Sequence, residues 1–229
     1  MPFTATGSVQ GFIRVVVSAA CAIALVSGCG GGGGDDSAIL STDFAVQSAA
    51  ATYFQSAHQF TLTGTVGAST LSMNYSYTPG AASMFEGQSA LTAVENATLL
   101  LDGVVVDVVT STSFFALSPF TFFGSTEAGS YSVLAQTANL PGTARIGQSG
   151  TIGVETEYTD STKAVVVGTS TITWSLEPDT QSTALFCINM QSTSGAPVSG
   201  SQCYRIDAAG VPQGLVVRVD VNGQTVTLR

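Results

Sequence analysis

Apolar and polar residues alternate with a period of two along most of the chain beyond Gln59. Phe60-Thr61-Leu62-Thr63-Gly64-Thr65-Val66 is one such run, and Leu71-Ser72-Met73-Asn74-Tyr75-Ser76-Tyr77 is a second, which stops at the turn signature Thr78-Pro79-Gly80. Alternation of this kind marks a strand with one face buried. The same reading predicts strands over 97–101, 104–109, 114–123, 131–136, 151–158, 163–168, 170–177, 183–190, 202–207, 214–221 and 224–228. Asp102-Gly103 and Asn222-Gly223 each join two such runs. They are hairpin signals, because a two-residue turn of the favoured type needs positive φ at both central positions. Turn signals spaced every ~8–12 residues predict an all-β body, an antiparallel sandwich or a barrel-like sheet. The one helical pattern covers 42–58, where Phe44, Ala51, Phe54 and His58 share a face. Ser41 or Thr42 would cap it, with Asp43 in its first turn.

Two pairs of segments resemble each other in order along the chain. Thr63-Gly64-Thr65-Val66-Gly67 resembles Ser149-Gly150-Thr151-Ile152-Gly153, and Ser113-Phe114-Phe115-Ala116 resembles Ala184-Leu185-Phe186-Cys187. Two related β halves, 59–143 and 144–229, are therefore an expectation to carry forward.

The pattern before residue 42 is different. Arg14 is followed by an apolar run over 15–26 that is too short for a bilayer span of ~20 residues. It has the length of the core of an export signal. Small residues Ser27 and Gly28 come next, then Cys29, then glycines 30–34 and Asp35-Asp36. A run of five glycines behaves as a flexible linker. The chain is thus expected to divide into a leader at 1–28, a tether at 29–41 and a folded body at 42–229. The glycines are no phosphate loop, since no Lys-Ser/Thr follows them.

Val26-Ser27-Gly28-Cys29 resembles the lipobox of bacterial lipoproteins. That resemblance implies cleavage before Cys29 and acylation at Cys29, giving a membrane contact through acyl chains, which anchor stably when there are two or more. Gly30 stands where an aspartate would favour inner-membrane retention, so the resemblance implies sorting to the outer membrane. Phe85-Glu86-Gly87-Gln88, Tyr158-Thr159-Asp160-Ser161-Thr162-Lys163 and Cys203-Tyr204-Arg205-Ile206-Asp207 extend the likeness to outer-membrane lipoproteins of Gram-negative bacteria with a β-rich body. Location follows from this likeness; no activity does.

Composition narrows the possibilities further. Only 9% of the 229 residues are charged, and 45% are hydrophobic. Disorder needs the opposite balance. Beyond the leader, five cations face all 15 acids. That balance argues against nucleic acid, which wants a clustered basic face. With Cys21 in the leader and Cys29 assigned to lipid, Cys187 and Cys203 remain as an even pair in an exported protein, and a disulfide is the natural reading. A cysteine metal site is the rival, but no CxxC spacing or histidine supports it.

No catalytic set stands out. His58 is the one histidine, at a junction, with no nucleophile motif in the chain. Glu155 and Glu157 lie two apart on one strand face, followed by Asp160, and read as a solvated face rather than a pair straddling a substrate. Neither they nor Asp35-Asp36 have the spacing of a calcium loop. Arg205 and Asp207 share a strand side and are expected to pair weakly. Trp174 and the aromatics at 114–123 suit a core, or the floor of a ligand groove. The expectation is a lipid-anchored envelope protein without cofactor or metal, a structural or binding module for an unknown envelope protein or ligand. The alternative is an enzyme or ligand carrier using carboxylates and aromatics on a β face.

Overall fold

The computed structural model describes residues 41–192, 199–221 and 224–229. The leader, Cys29 and nearly all of the tether lie outside the described residues, as does Asn222-Gly223. Among the described residues one helix, α1 (Val46–Gln55), precedes thirteen strands. The first seven are β1 (His58–Val66), β2 (Ser69–Pro79), β3 (Ser83–Phe85), β4 (Gln88–Leu101), β5 (Val104–Leu117), β6 (Phe120–Glu127) and β7 (Ser130–Gln136). The remainder are β8 (Ser149–Tyr158), β9 (Val166–Pro178), β10 (Thr183–Ser192), β11 (Ser199–Asp207), β12 (Pro212–Val221) and β13 (Gln224–Leu228).

Every strand except β3 pairs antiparallel with its sequence neighbour in one continuous sheet, β1-β2-β4-β5-β6-β7-β8-β9-β10-β11-β12-β13. Thr63 and Arg229 exchange backbone hydrogen bonds of 2.9 and 3.0 Å, which brings the last stave back to the first. The body is thus a nearly closed, twelve-stave, up-and-down barrel, the barrel-like form of the expected all-β class. Gly64 permits the seam: a Cβ there would lie 2.3 Å from the Thr227 carbonyl oxygen. Closure removes most of the exposed strand edge that an open sheet would present.

Most large apolar side chains pack in the barrel's interior, and the outer face is mixed, with polar side chains beside exposed valines such as Val94, Val108 and Val154. Leu71, Met73, Tyr75 and Tyr77 of β2 point inward, as do Ile172, Trp174 and Leu176 of β9, and all are buried. On the outer face Thr61 Oγ1 donates to Asn74 Oδ1 at 3.0 Å, and Thr110 Oγ1 donates to Asn96 Oδ1 at 2.8 Å. A barrel that spans lipid has the reverse arrangement, an apolar outer band around a polar interior. No helix among the described residues is long and apolar enough to cross a membrane.

α1 turns one face into the barrel and leaves Ser48, Thr52 and Gln55 exposed. Val46, Ala49, Ala50, Tyr53 and Phe54 are its buried residues, and the two alanines let the helix come close to the wall. It is shorter than the sequence predicts, and no side chain caps it. Asp43 instead pairs with Arg145, Nε to Oδ1 at 2.8 Å, while Phe44 forms a two-way bridge to Ala144. Tertiary anchors replace the local cap, in keeping with helix stability that comes mainly from packing.

The Asp102-Gly103 turn is as expected, with φ of 50° and 80° between β4 and β5. Other boundaries move. β4 begins at Gln88 rather than near residue 97, 104–117 is one strand, and a single strand, β9, spans most of the two runs expected over 163–177. The two proposed halves, 59–143 and 144–229, supply six staves each, with β3 as an extra strand in the first. Their likenesses do not recur stave for stave: β1 and β5 are three steps apart in the sheet, while β8 and β10 are two.

A second, small apolar cluster sits on the outer wall. The β3–β4 hairpin folds across β5–β7, stacking Phe85 on Phe114 at 4.3 Å and on Tyr131 at 5.2 Å. Glu86 at its tip takes a hydrogen bond from Tyr131 (2.7 Å) and an ion pair from Lys163 (2.5 Å), so two segments that looked unrelated in sequence meet. Those partners hold the Glu86 carboxyl below its usual range, the Lys163 hydrogen bond most of all. A carboxyl shifted down contributes stability above its unfolded pKa and loses it as pH falls. Lys163→Ala is expected to cost under about 1 kcal/mol by urea denaturation at pH 7, as exposed pairs do.

Cys187 and Cys203 face each other in the β10–β11 register and form the expected disulfide, with Cα atoms 3.9 Å apart. The bond lies on the outer face with Leu185 and Val216, all buried. The ion pair from Arg218 on β12 to Glu177 on β9 spans the two strands between them. Arg205 pairs with Asp179 at 2.6 Å, not with Asp207, whose carboxylate instead accepts from the Val211 backbone. Asp179 sits in the β9–β10 connection, within reach of the guanidinium, whereas Asp207 is committed to the turn that follows β11. Replacing both cysteines by alanine should lower stability by about 3 kcal/mol, the loop-closure value for a separation of 16 residues. Denaturation of the double variant beside the oxidised parent measures it.

Candidate functional site

The lumen holds the chemistry that a solvent-exposed strand face would not. Glu155 and Glu157 are 3% and 1% exposed, so the expected solvated face is corrected to a buried one. A β-bulge explains the inversion. The β8–β9 register slips between Thr151 and Gly153, with Ile152 as the extra residue, so that Ile152 and, beyond it, Glu155 and Glu157 are all buried. One extra residue exchanges the two faces of everything beyond it. Val154, which alternation would bury, is exposed instead.

Glu95 on β4 is a third interior carboxylate, 6% exposed, which the sequence reading missed. Its signal was its phase: Ala93, Ala97 and Leu99 are in step with it and all are buried. Ser113 Oγ donates to its Oε1 at 2.5 Å and Tyr75 Oη to its Oε2 at 3.0 Å. Tyr53 on α1 donates to Tyr75 at 3.3 Å, and Gln202 on β11 bonds Tyr53 in turn. A polar chain therefore crosses the lumen from β11 through the helix to β2, β4 and β5. Glu157 takes a hydrogen bond from Ser130 at 3.1 Å, and Ser125 and Ser132 bond each other at 2.8 Å.

Burial raises the Glu95 pKa, against the lowering effect of Ser113 and Tyr75. An acid raised in the folded state is neutral there while the unfolded chain ionises. Stability therefore falls as pH climbs from the ordinary glutamate range up to the folded pKa. Glu95→Gln keeps the shape and removes the titration. It should flatten the pH dependence over that window relative to the parent, read from urea midpoints at pH 4, 6 and 8.

The other residues singled out from sequence are placed as follows. His58 opens β1; its Nε2 donates to the Tyr53 carbonyl at 2.9 Å and its ring stacks on Tyr53 at 4.3 Å. It is a junction histidine, as expected. Trp174 is buried in the core beside Gly150. Of the aromatics at 114–123, Phe115, Phe120 and Phe122 join the barrel core, while Phe114 and Phe123 join the outer cluster. Asp160 caps its own turn, accepting from the Thr162 backbone at 2.8 Å, away from the interior glutamates. Among the described residues no three His, Cys, Asp or Glu side chains gather as a metal would need.

A cavity of about 60 Å³ remains beside α1. Phe54, Phe120, Phe122, Leu134, Ile152 and Ile172 make up much of its wall, and Glu155, Gln202 and Tyr204 bring polar atoms to it. Gln136 and Leu140 stand at the end of the barrel where the β7–β8 connection passes over it. Gln136 fastens that rim, accepting from Phe122 N at 3.2 Å and donating to Asn139 Oδ1 at 3.3 Å. Neither protein-family models, nor curated proteins, nor solved structures yield a match to this chain.

Proposed function

We propose that this chain is a lipid-anchored protein of the bacterial cell envelope, held at the outer membrane through Cys29, whose barrel is a binding or structural module rather than a catalyst. The observation that carries the reading is where the barrel packs its large side chains: the main apolar core, with one face of α1 against it, is inside, and the outer wall presents hydroxyl and amide side chains among isolated valines. Such a body is at home in water, so membrane attachment falls to the lipobox-like segment, Val26-Ser27-Gly28-Cys29. Metabolic labelling with a fatty acid tests it. Label on the parent and none on Cys29→Ser is expected; label retained on the variant overturns the anchor. Capture of one specific envelope protein by the acidic body supports the module reading. Substrate turnover that is abolished by Glu155→Gln or Glu157→Gln would refute it in favour of an enzyme.

A second reading, a ligand carrier, is favoured by one observation. The lumen contains an apolar cavity whose wall includes a buried carboxylate, Glu155, and a buried amide, Gln202.

A further inference from the structure

We infer that the lumenal cavity binds a small, mostly apolar molecule of about one ring that carries a single hydrogen-bond donor, an alcohol or amine, presented to Glu155. The inference rests on the carrier reading and names its ligand class.

Size comes first. The cavity has a volume of about 60 Å³. One water needs ~10–15 Å³ of such space, so there is room for about four to six. Drug-sized pockets of ~300–1,000 Å³ are several times larger. An extended acyl chain does not fit; a ring with one or two substituent atoms does.

Chemistry comes second. Phenylalanine, leucine and isoleucine side chains form most of the wall, and such a surface favours an apolar body. Glu155, on β8, is the acidic side chain on that wall and is 3% exposed. A carboxyl set among apolar side chains gives a guest's hydrogen-bond donor a partner that those side chains cannot. Gln202, on β11, also lines the cavity and is already engaged with Tyr53.

Access comes third. The cavity lies against α1, through Ala50 and Phe54, and under the rim that Gln136 ties to Asn139. The β7–β8 connection at that rim is held by the Phe44–Ala144 bridge and by backbone hydrogen bonds to Leu176, so entry at that end requires those contacts to open.

The test uses the full chain carrying Cys29→Ser, exported and purified without detergent, which could itself enter the cavity. Benzyl alcohol and toluene, equal in ring and differing by the hydroxyl, are titrated while the methyl NMR signals of Ile152, Ile172 and Ile188 are followed. Benzyl alcohol should shift these signals with a Kd below about 1 mM, within reach of a ligand of so few atoms. It should bind about 10-fold tighter than toluene, the value of one buried hydrogen bond. If neither probe moves these signals at millimolar concentration, the carrier reading fails with the inference. If toluene binds as tightly as benzyl alcohol, the carrier reading stands and the donor class is overturned. Glu155→Leu should bring the two probes within about 3-fold of each other. A 10-fold preference surviving in the folded variant removes Glu155 from the role. The two-probe comparison in the chain with glutamate at 155 is decisive without that variant, should it fail to fold.

Discussion

Phe54→Ala should destabilise the barrel by about 3–5 kcal/mol, the range for emptying a buried aromatic site. Phe54 is on the last turns of α1, and its ring meets Phe120 at 4.9 Å, Phe115 at 5.0 Å and Tyr77 at 5.6 Å. Aromatic pairs of this kind add ~0.5–1.5 kcal/mol beyond their buried area. The Phe54 carbonyl also accepts from the Tyr77 hydroxyl at 3.1 Å, so the helix end is tied to β2 by backbone as well as by ring. The substitution leaves that bond formally intact and removes the packing that positions it. For a body of this size each kcal/mol is worth about 2–4 °C in Tm, so a fall on the order of 10 °C is expected. Urea denaturation with an unchanged slope measures it. A loss below about 1 kcal/mol would mean that the buried face of α1 contributes little to the core. Because Phe54 also lines the cavity, the same variant should enlarge the space open to toluene.

Gly124→Ala should cost more than about 3 kcal/mol, for two reasons that act together. The residue has φ of 147°, where an L side chain is strained by about 1–3 kcal/mol. A Cβ there would also stand 2.0 Å from the Ser132 carbonyl oxygen and 3.0 Å from Phe85 Cζ. The first of those neighbours is backbone and cannot rotate away. Gly124 sits opposite Phe114 at the register shift between β5 and β6, where the wall bends and the β3–β4 hairpin lies across it. Gly129 provides the control: its φ is 77°, yet a methyl group there would meet nothing within 4 Å. Gly129→Ala should therefore cost only the conformational part, about 1–2 kcal/mol. Equal losses at the two sites, measured side by side, would show that the close approach at Ser132 contributes nothing.

Much of the architecture is legible in the residues themselves. The alternation at 60–66 and 71–77 becomes β1 and β2, and Asp102-Gly103 becomes the β4–β5 turn, because period and turn chemistry are local properties. The Cys187–Cys203 bond follows from counting cysteines. Residues 88–96 escape a strand reading because Ala90, Ala93, Glu95 and Asn96 carry weak strand propensity; pairing with β2 and β5 makes them part of β4. The long reach of the helical pattern is cut to ten residues because β1 takes His58 as its first member.

The sequence alone determined that the body is β, that its strands pair by short turns, and that its two remaining cysteines belong together. All three depend on contacts within or between adjacent segments. Three things waited for the tertiary structure. Closure of twelve staves depends on Thr63 meeting Arg229, far apart in sequence, across a glycine. The packing of one face of α1 into the barrel depends on residues drawn from strands far apart in sequence. The burial of Glu155 and Glu157 turns on one bulge near Ile152, which reverses inside and outside for the rest of its strand. Alternation tells which residues share a face; only the closed barrel decides which face is the inside.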